Sequence, residues 1–306
     1  MRRHGQPLRG RTVVVTGAAR GLGAALARAF DERGARLALL GLEGAGLQEV
    51  AGSLRNESAC WEVDVTDDAA MADTAGEVRT RLGPASLVVS NAGVAEGGPF
   101  ADSDPQVWRR VIEVNLIGSA ATARCFLPQL LYTHGYYLQV ASLAAMGTSP
   151  LMSAYCASKA GVESFAQALR AELAHRGVAV GIAYINWTDT DMIRDADRHA
   201  VLRELRAHMP PPARKVYPAA QVAERLADAA ERRASSVYMP AWLRAVQPVR
   251  AALPAVVTRV ARTELPRLER SQLFEATGLL GAGGHADEGR DTSRRSRRGS
   301  AQEPGG

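Results

Sequence analysis

Lysine is nearly missing from this chain: of 37 basic residues only Lys159 and Lys215 are lysines, and the arginines are scattered. A formal charge of +5 therefore reads as Arg-favouring, GC-rich codon usage. A nucleic-acid footprint would need basic residues clustered on one face beside groove-reading or aromatic motifs. Cysteine is scarce too. Cys60, Cys125 and Cys156 are odd in number and share no CxxC spacing, which excludes a disulfide scaffold and a zinc site and fits a reducing compartment. His199 and His208 have no second ligand at metal spacing, so no metal is expected. No apolar run approaches bilayer-spanning length. The basic start MRRHGQPLRGR leads into a strand-length apolar run rather than a signal-peptide core, and a soluble, cytoplasmic protein is expected.

What the 306 residues do contain, at 46% hydrophobic and 23% charged, is enough apolar material for one large α/β domain with an appendage. Short apolar or β-branched runs at 12–16, 36–40, 59–65, 87–90, 136–141, 178–185 and 237–239 alternate with longer helical patterns. Strand–helix repetition of this kind predicts a parallel sheet covered on both faces. Leu22, Leu26, Ala29 and Phe30 recur at helical spacing, and Gly34 supplies a stop. The expected organisation is a catalytic domain over 1–245 with a polar, proline-punctuated lid at about 186–216. A helical extension cut by Pro248, Pro254 and Pro266 follows over 246–280. A disordered Arg/Gly/Ser tail over 281–306, with Arg294, Arg295, Arg297 and Arg298, ends the chain.

Directly after the first strand stands Thr16-Gly17-Ala18-Ala19-Arg20-Gly21-Leu22-Gly23. Glycines let a backbone approach a pyrophosphate, and the following helix N-terminus offers open N–H groups and a favourable dipole. A glycine turn alone is weak evidence, but here a strand precedes it and a helix follows. Gly41 stands where a carboxylate about 20 residues on commonly binds the ribose 2′-OH and repels a 2′-phosphate. With Arg20 available for a charge-assisted bond, NADP(H) is favoured modestly. The alternative is a solvent-facing Arg20, with Glu43 binding the ribose of NAD(H).

Four further segments follow in order: Asp64 at the end of the third strand, Asn91-Ala92-Gly93 after the fourth, Asn115 in Val114-Asn115-Leu116, and Ser142 after the fifth. Tyr155-Cys156-Ala157-Ser158-Lys159 follows Ser142 by thirteen residues. By this order and spacing, residues 9 to about 240 resemble the short-chain dehydrogenase/reductase family. The resemblance implies a doubly wound, Rossmann-type α/β fold of about seven parallel strands with helices on both faces and, in this chain, a C-terminal helical extension. It also implies a ketone or aldehyde interconverted with an alcohol by hydride transfer.

The catalytic tetrad would be Asn115, Ser142, Tyr155 and Lys159, with Tyr155 as acid/base, Ser142 on the substrate oxygen and Asn115 on a water of the proton relay. Lys159 would also bind the nicotinamide ribose. Cofactor contacts are expected from Gly17, Ala19, Arg20, Gly21, Leu22, Gly23, Gly41, Asp64, Val65, Asn91, Ala92, Gly93, Tyr155, Lys159, Thr188 and Thr190. On a helix Tyr155 and Lys159 share a face. Lowering the phenol by about three pKa units would need roughly 4 kcal/mol of differential stabilisation from nearby positive charge. A homodimer or homotetramer through the helices carrying Asn115 and Tyr155 is implied as well.

The chain departs from the family pattern at Ile185 and Asn186, where Pro and Gly are usual; Asn tolerates positive φ better than most residues, and Thr190 remains. The run Trp187 to Asp197 and the appendage are similar to a GC-rich bacterial subgroup with a C-terminal extension. Leu143, Met146, Leu151, Met152 and Trp187 stand near the expected pocket and suggest a substrate of moderate apolarity, although they serve equally well as core. Between 242 and 262, Leu243, Val246, Val249, Leu253, Val256 and Val260 recur near helical spacing. Packing on the chain's own domain or on a neighbouring subunit is preferred there over membrane-surface contact. A non-catalytic dinucleotide-binding sensor of the same fold is the alternative function.

Overall fold

The computed structural model describes residues 8–271 and 275–287. Seven parallel strands form the central sheet: β1 (Thr12–Thr16), β2 (Arg36–Gly41), β3 (Ser58–Glu62), β4 (Ala85–Ser90), β5 (Tyr136–Val140), β6 (Ala179–Ile185) and β9 (Ser236–Met239). A separate two-strand ribbon pairs β7 (Thr188–Asp189) with β8 (Tyr217–Pro218). The main sheet runs in the order β3-β2-β1-β4-β5-β6-β9, so the winding reverses between β1 and β4. In doubly wound sheets the crevice at such a reversal, beyond the carboxyl ends of the strands, is where ligands bind.

Both faces of the sheet are covered, so the strands read as continuous apolar runs. Val13 and Val15 point one way, packing with Leu22, Leu26 and Phe30 of α1 (Gly21–Glu32) and Val222 and Leu226 of α10 (Ala219–Glu231). Leu47 of α2 (Gly44–Gly52) joins that layer. Val14 points the other way, into a core shared with α3 (Asp68–Leu82), α5 (Gly118–Thr133) and α6 (Ser153–Leu173) through Met71, Phe126 and Val162. Gly34 ends the first helix with φ of 77°, a left-handed value that costs glycine little. The Asp67 carboxylate accepts from the Ala70 N–H at 3.0 Å and caps α3; Asp104 does the same for α4 (Pro105–Ile112), with Pro105 in its first turn.

The lid is mostly helical: α7 (Asp191–Ala196), α8 (Ala200–Ala207) and α9 (Pro211–Arg214) lie between the two strands of the ribbon. The extension comprises α11 (Leu243–Val246), a 3₁₀ stretch (Gln247–Ala252) and α12 (Leu253–Ser271). Pro248 and Pro254 fall where the expected breaks are, in the 3₁₀ stretch and the first turn of α12. Pro266, expected to cut the helix, lies inside it. It removes one internal N–H donor, and the residue whose carbonyl it would serve, Arg262, is exposed.

The disordered tail expected from Gly281 also needs correction. Leu279 and Leu280 are buried, and residues 281–287 form a helical segment ending on a buried Asp287. Composition undercounts such a segment, because two leucines and one well-paired carboxylate hold it. The Arg294–Arg298 run and the basic N-terminal stretch before Leu8 lie outside the described residues.

Candidate active site

One cavity of about 1010 Å³ opens at the β1/β4 crevice and runs past the ends of β5 and β6 under the lid and α12. Its floor is the glycine turn. A Cβ on Gly17 would stand 2.9 Å from the Ala92 Cα, and one on Gly23 would stand 2.0 Å from the Gly17 carbonyl oxygen. Only glycine lets the turn close on the Asn91–Gly93 segment. The Asn91 amide donates to the Thr16 carbonyl at 3.0 Å, and the Thr16 hydroxyl accepts from the backbone N–H of Asn91 and of Ala92, each at 3.0 Å. The N-cap residue Arg20 makes no side-chain capping bond to α1, and the first-turn N–H groups of such a helix start are suited to an anion. This cradle fits the diphosphate of a dinucleotide.

Ser142, Tyr155 and Lys159 line the same cavity. Ser142 follows β5, its Oγ accepting from the Ala144 N–H at 3.1 Å. Tyr155 stands in the first turn of α6, and Lys159 follows one turn on, with Nζ 5.6 Å from the phenol ring centroid. The expected lowering of the phenol by its lysine does not appear in this state. Burial pushes Tyr155 up to about 12, partly offset by the Ser142 hydroxyl, and burial pushes Lys159 down to about 8. Desolvation, which disfavours the charged form, is the largest cause for both groups.

Asn115 does not line the cavity. It sits in a one-turn π-helical bulge, Glu113–Ile117, of the kind frequent at functional sites. Its Oδ1 accepts from the Val94 N–H at 2.8 Å, and its Nδ2 donates to the Val94 carbonyl and to Ser158 Oγ, both at 2.9 Å. The side chain is committed to tying Val94, directly after the Asn91–Gly93 turn, to α6.

Of the expected cofactor residues, Gly17, Arg20, Gly21, Leu22, Gly23, Asn91, Ala92, Gly93, Thr188 and Thr190 line the cavity with Tyr155 and Lys159. Ala19, Gly41, Asp64 and Val65 are outside its lining. Asp64 is bonded to the Thr66 N–H and hydroxyl and to Arg110, which together hold its carboxyl below the usual range despite burial. Asn186 does not use a left-handed conformation. Its amide donates to the Ala213 carbonyl at 2.9 Å, fastening the end of β6 to the lid. Leu143, Met152 and Trp187 line the cavity as expected of a pocket wall, whereas Met146 is core. His208 has Nε2 3.6 Å from Glu264 of α12, a carboxylate 56 residues away in sequence that could not be read from spacing.

Two features of the cleft were not anticipated. Arg20 is ion-paired with Glu43, and Asp191 lies 3.8 Å away. The C-terminal segment crosses the cleft as a strap: Thr277 N–H donates to the Gly97 carbonyl, Leu280 N–H to the Ala95 carbonyl and Gly281 N–H to Asp195, each at 2.8 Å. Leu280, Gly281, Gly283 and Gly284 line the cavity, and a Cβ on Gly283 would stand 3.1 Å from the Arg20 guanidinium.

A doubly wound parallel sheet with a phosphate cradle at its reversal point defines a dinucleotide-binding α/β protein. Residues 11–200 match the family model for short chain dehydrogenases. The chain is 31% identical over 220 residues to a short chain dehydrogenase of Pseudocercospora fijiensis, covering 68% of this chain and 71% of that protein. It is 31% identical over 215 residues to dehydrogenase/reductase SDR family member 7B of Bos taurus, covering 65% and 66%. A short chain dehydrogenase/reductase from Burkholderia phymatum, solved in complex with NAD, superposes with a TM-score of 0.70 at 26% identity, over 79% of this chain and 93% of that one. This chain belongs to the short-chain dehydrogenase/reductase family and is an oxidoreductase.

Proposed function

We propose that the protein interconverts a ketone or aldehyde and the corresponding alcohol with a nicotinamide dinucleotide, Tyr155 acting as general acid and base. The observation that carries this reading is the convergence of Ser142, Tyr155 and Lys159 on the wall of the cavity whose floor is the phosphate cradle. The Gly17–Gly23 turn and the Asn91–Gly93 segment would hold the dinucleotide, which would supply or accept the hydride at the carbonyl carbon. In reduction the Tyr155 phenol gives its proton to the carbonyl oxygen, and in oxidation the phenolate takes it back. The Ser142 hydroxyl donates a hydrogen bond to the same oxygen. Lys159 holds the nicotinamide ribose and favours phenolate while it carries its own proton. Asn115 fixes the turn that faces the nicotinamide.

At the adenosine end, Gly41 places no carboxylate against a 2′-phosphate, and Arg20 can bond one; these support NADP(H), with NAD(H) accepted. Glu43 holds Arg20 in this state, so a 2′-phosphate would exchange one charge-assisted pair for another.

Fluorescence titration with NADPH and NADH on wild type and Tyr155→Phe, followed by a carbonyl screen, tests the reading. The variant should bind cofactor within about twofold of wild type and lose at least about a hundredfold in kcat, the usual scale for an acid/base group. Tight cofactor binding with no turnover by wild type on any carbonyl would instead support the sensor.

A further inference from the structure

The cavity does not end at the catalytic wall. One side of its continuation is a single stripe of α12, in which Leu253, Val256, Val257, Val260, Ala261 and Leu265 recur every third or fourth residue and all line the cavity. The stripe begins beside the catalytic loop, where Leu253 packs against Gly147; a Cβ there would stand 3.2 Å from Leu253 Cδ1. It ends at the lid, where Glu264 meets His208. Eleven residues at 1.5 Å each make this a trough roughly 16 Å long. The facing wall comes from the lid, with Ile193, Leu202, Leu205 and Met209.

Two observations bear on the chemistry of the occupant. Val256 and Val260, and Val249 just before them, are about half exposed, and all three line this trough. These are apolar surfaces left uncovered in continuity with Tyr155. The trough also has a polar spot where the lid meets it: Arg206 Nη2 donates to Asp197 at 2.7 Å and its guanidinium lies over the Trp187 ring, while Arg206 Nη1, Trp187 Nε1 and Trp242 Nε1 are buried without a hydrogen-bond partner among the described residues.

We propose that the substrate is a long-chain aliphatic ketone or secondary alcohol whose reacting carbon lies at Ser142 and Tyr155 and whose tail lies along α12. This deepens the oxidoreductase reading and rests on it.

The test is kcat/KM for methyl ketones from 2-butanone to 2-tetradecanone, run alongside displacement of an apolar fluorescent dye, anilinonaphthalene sulfonate, by the same ketones. Burial of each added methylene should raise kcat/KM about two- to fourfold until the trough is filled, with displacement following the same trend. Val256→Asp and Val260→Asp, checked for fold by far-UV circular dichroism, should flatten both slopes, and Val256→Leu should keep them. A flat wild-type slope with measurable turnover of short ketones overturns the proposal and leaves the oxidoreductase reading standing. Chain-length-dependent displacement without turnover of any ketone sinks the oxidoreductase reading and, with it, the substrate assignment. If Val256→Asp dissociates an oligomer in sedimentation velocity while the slope is unchanged, the stripe belongs to a second copy of the chain and the proposal fails.

Discussion

Arg110 and Asp287 meet in a two-pronged ion pair, Nε to Oδ2 at 2.6 Å and Nη2 to Oδ1 at 2.5 Å, and the same Nη2 reaches Asp64 at 2.7 Å. One guanidinium on α4 thereby ties the C-terminal strap to the end of the β3 segment, across the adenosine side of the cleft. Planar forks of this kind are strong and geometrically specific, and Asp287 is almost fully buried.

The strap sits over Arg20 and Glu43, so exchange of a dinucleotide should require it to lift. Asp287→Ala removes the carboxylate but leaves Arg110 paired with Asp64. Stopped-flow measurement of NAD(P)H fluorescence should show both association and release accelerated, each by roughly tenfold or more, since a charge-assisted fork contributes about 1.5–3 kcal/mol. Unchanged rates would mean that cofactor enters without strap movement.

Lys159 gives a pH signature with a determinate sign. Its folded-state pKa, about 8, lies below the ordinary 10.5, so the fold penalises the charged ammonium. The penalty is full below about pH 8, shrinks as pH rises toward 10.5, and is gone above it. Lys159→Met removes the penalised charge. At pH 7 the variant should be more stable than wild type, by up to about 3 kcal/mol, with the gap closing across that window while turnover is lost. Denaturant melts at pH 7 and pH 10 check this; a gap that widens with pH would contradict the burial argument.

Much of this was legible in the sequence, and what was not has physical reasons. Strand positions such as Val13–Val15 and Leu37–Leu40 are buried on both faces and therefore stand out as unbroken apolar runs. The glycine turn and the Tyr155/Lys159 pair are local, built from residues within one turn or one helix. The unread features join distant residues: Arg110 with Asp287, His208 with Glu264, and Leu253 with Gly147. Pairing across more than a hundred residues, as in the first and last of these, leaves no periodic trace. The valines at 249, 256 and 260 were visible as a stripe, but whether it covered core, lipid or a cavity depended on where the lid helices lay.

The pair Arg20 and Glu43 sets an expectation at the adenosine end. Glu43→Gln leaves Arg20 without its nearer carboxylate and should tighten NADPH by roughly tenfold, one charge-assisted bond's worth, with little change for NADH. Arg20→Ala should weaken NADPH selectively. Parallel titrations measure the ratio, and equal changes for both cofactors would remove Arg20 from 2′-phosphate recognition.

Arg250 is the anchor by which the extension grips the catalytic domain. Its guanidinium donates to both oxygens of Glu163 on α6, at 2.6 and 2.7 Å, and to the Ala145 carbonyl at 2.7 Å, three residues beyond Ser142. Glu163 also accepts from the Tyr184 hydroxyl at 2.7 Å, and its side chain is only 5% exposed. Arg250→Ala leaves that carboxylate buried with its cation gone. Breaking a fully buried pair costs about 3–5 kcal/mol, and the partial exposure of Arg250 reduces this to about 2 kcal/mol. The double variant Glu163→Met with Arg250→Met removes both charges and should recover most of the loss, because the cost lies in the orphaned carboxylate rather than in a strong net attraction. Chemical denaturation of the single and double variants separates the two terms. A double variant no more stable than Arg250→Ala would place the cost instead in the lost bond to Ala145, and kcat should then fall with stability as the Ser142 loop loosens.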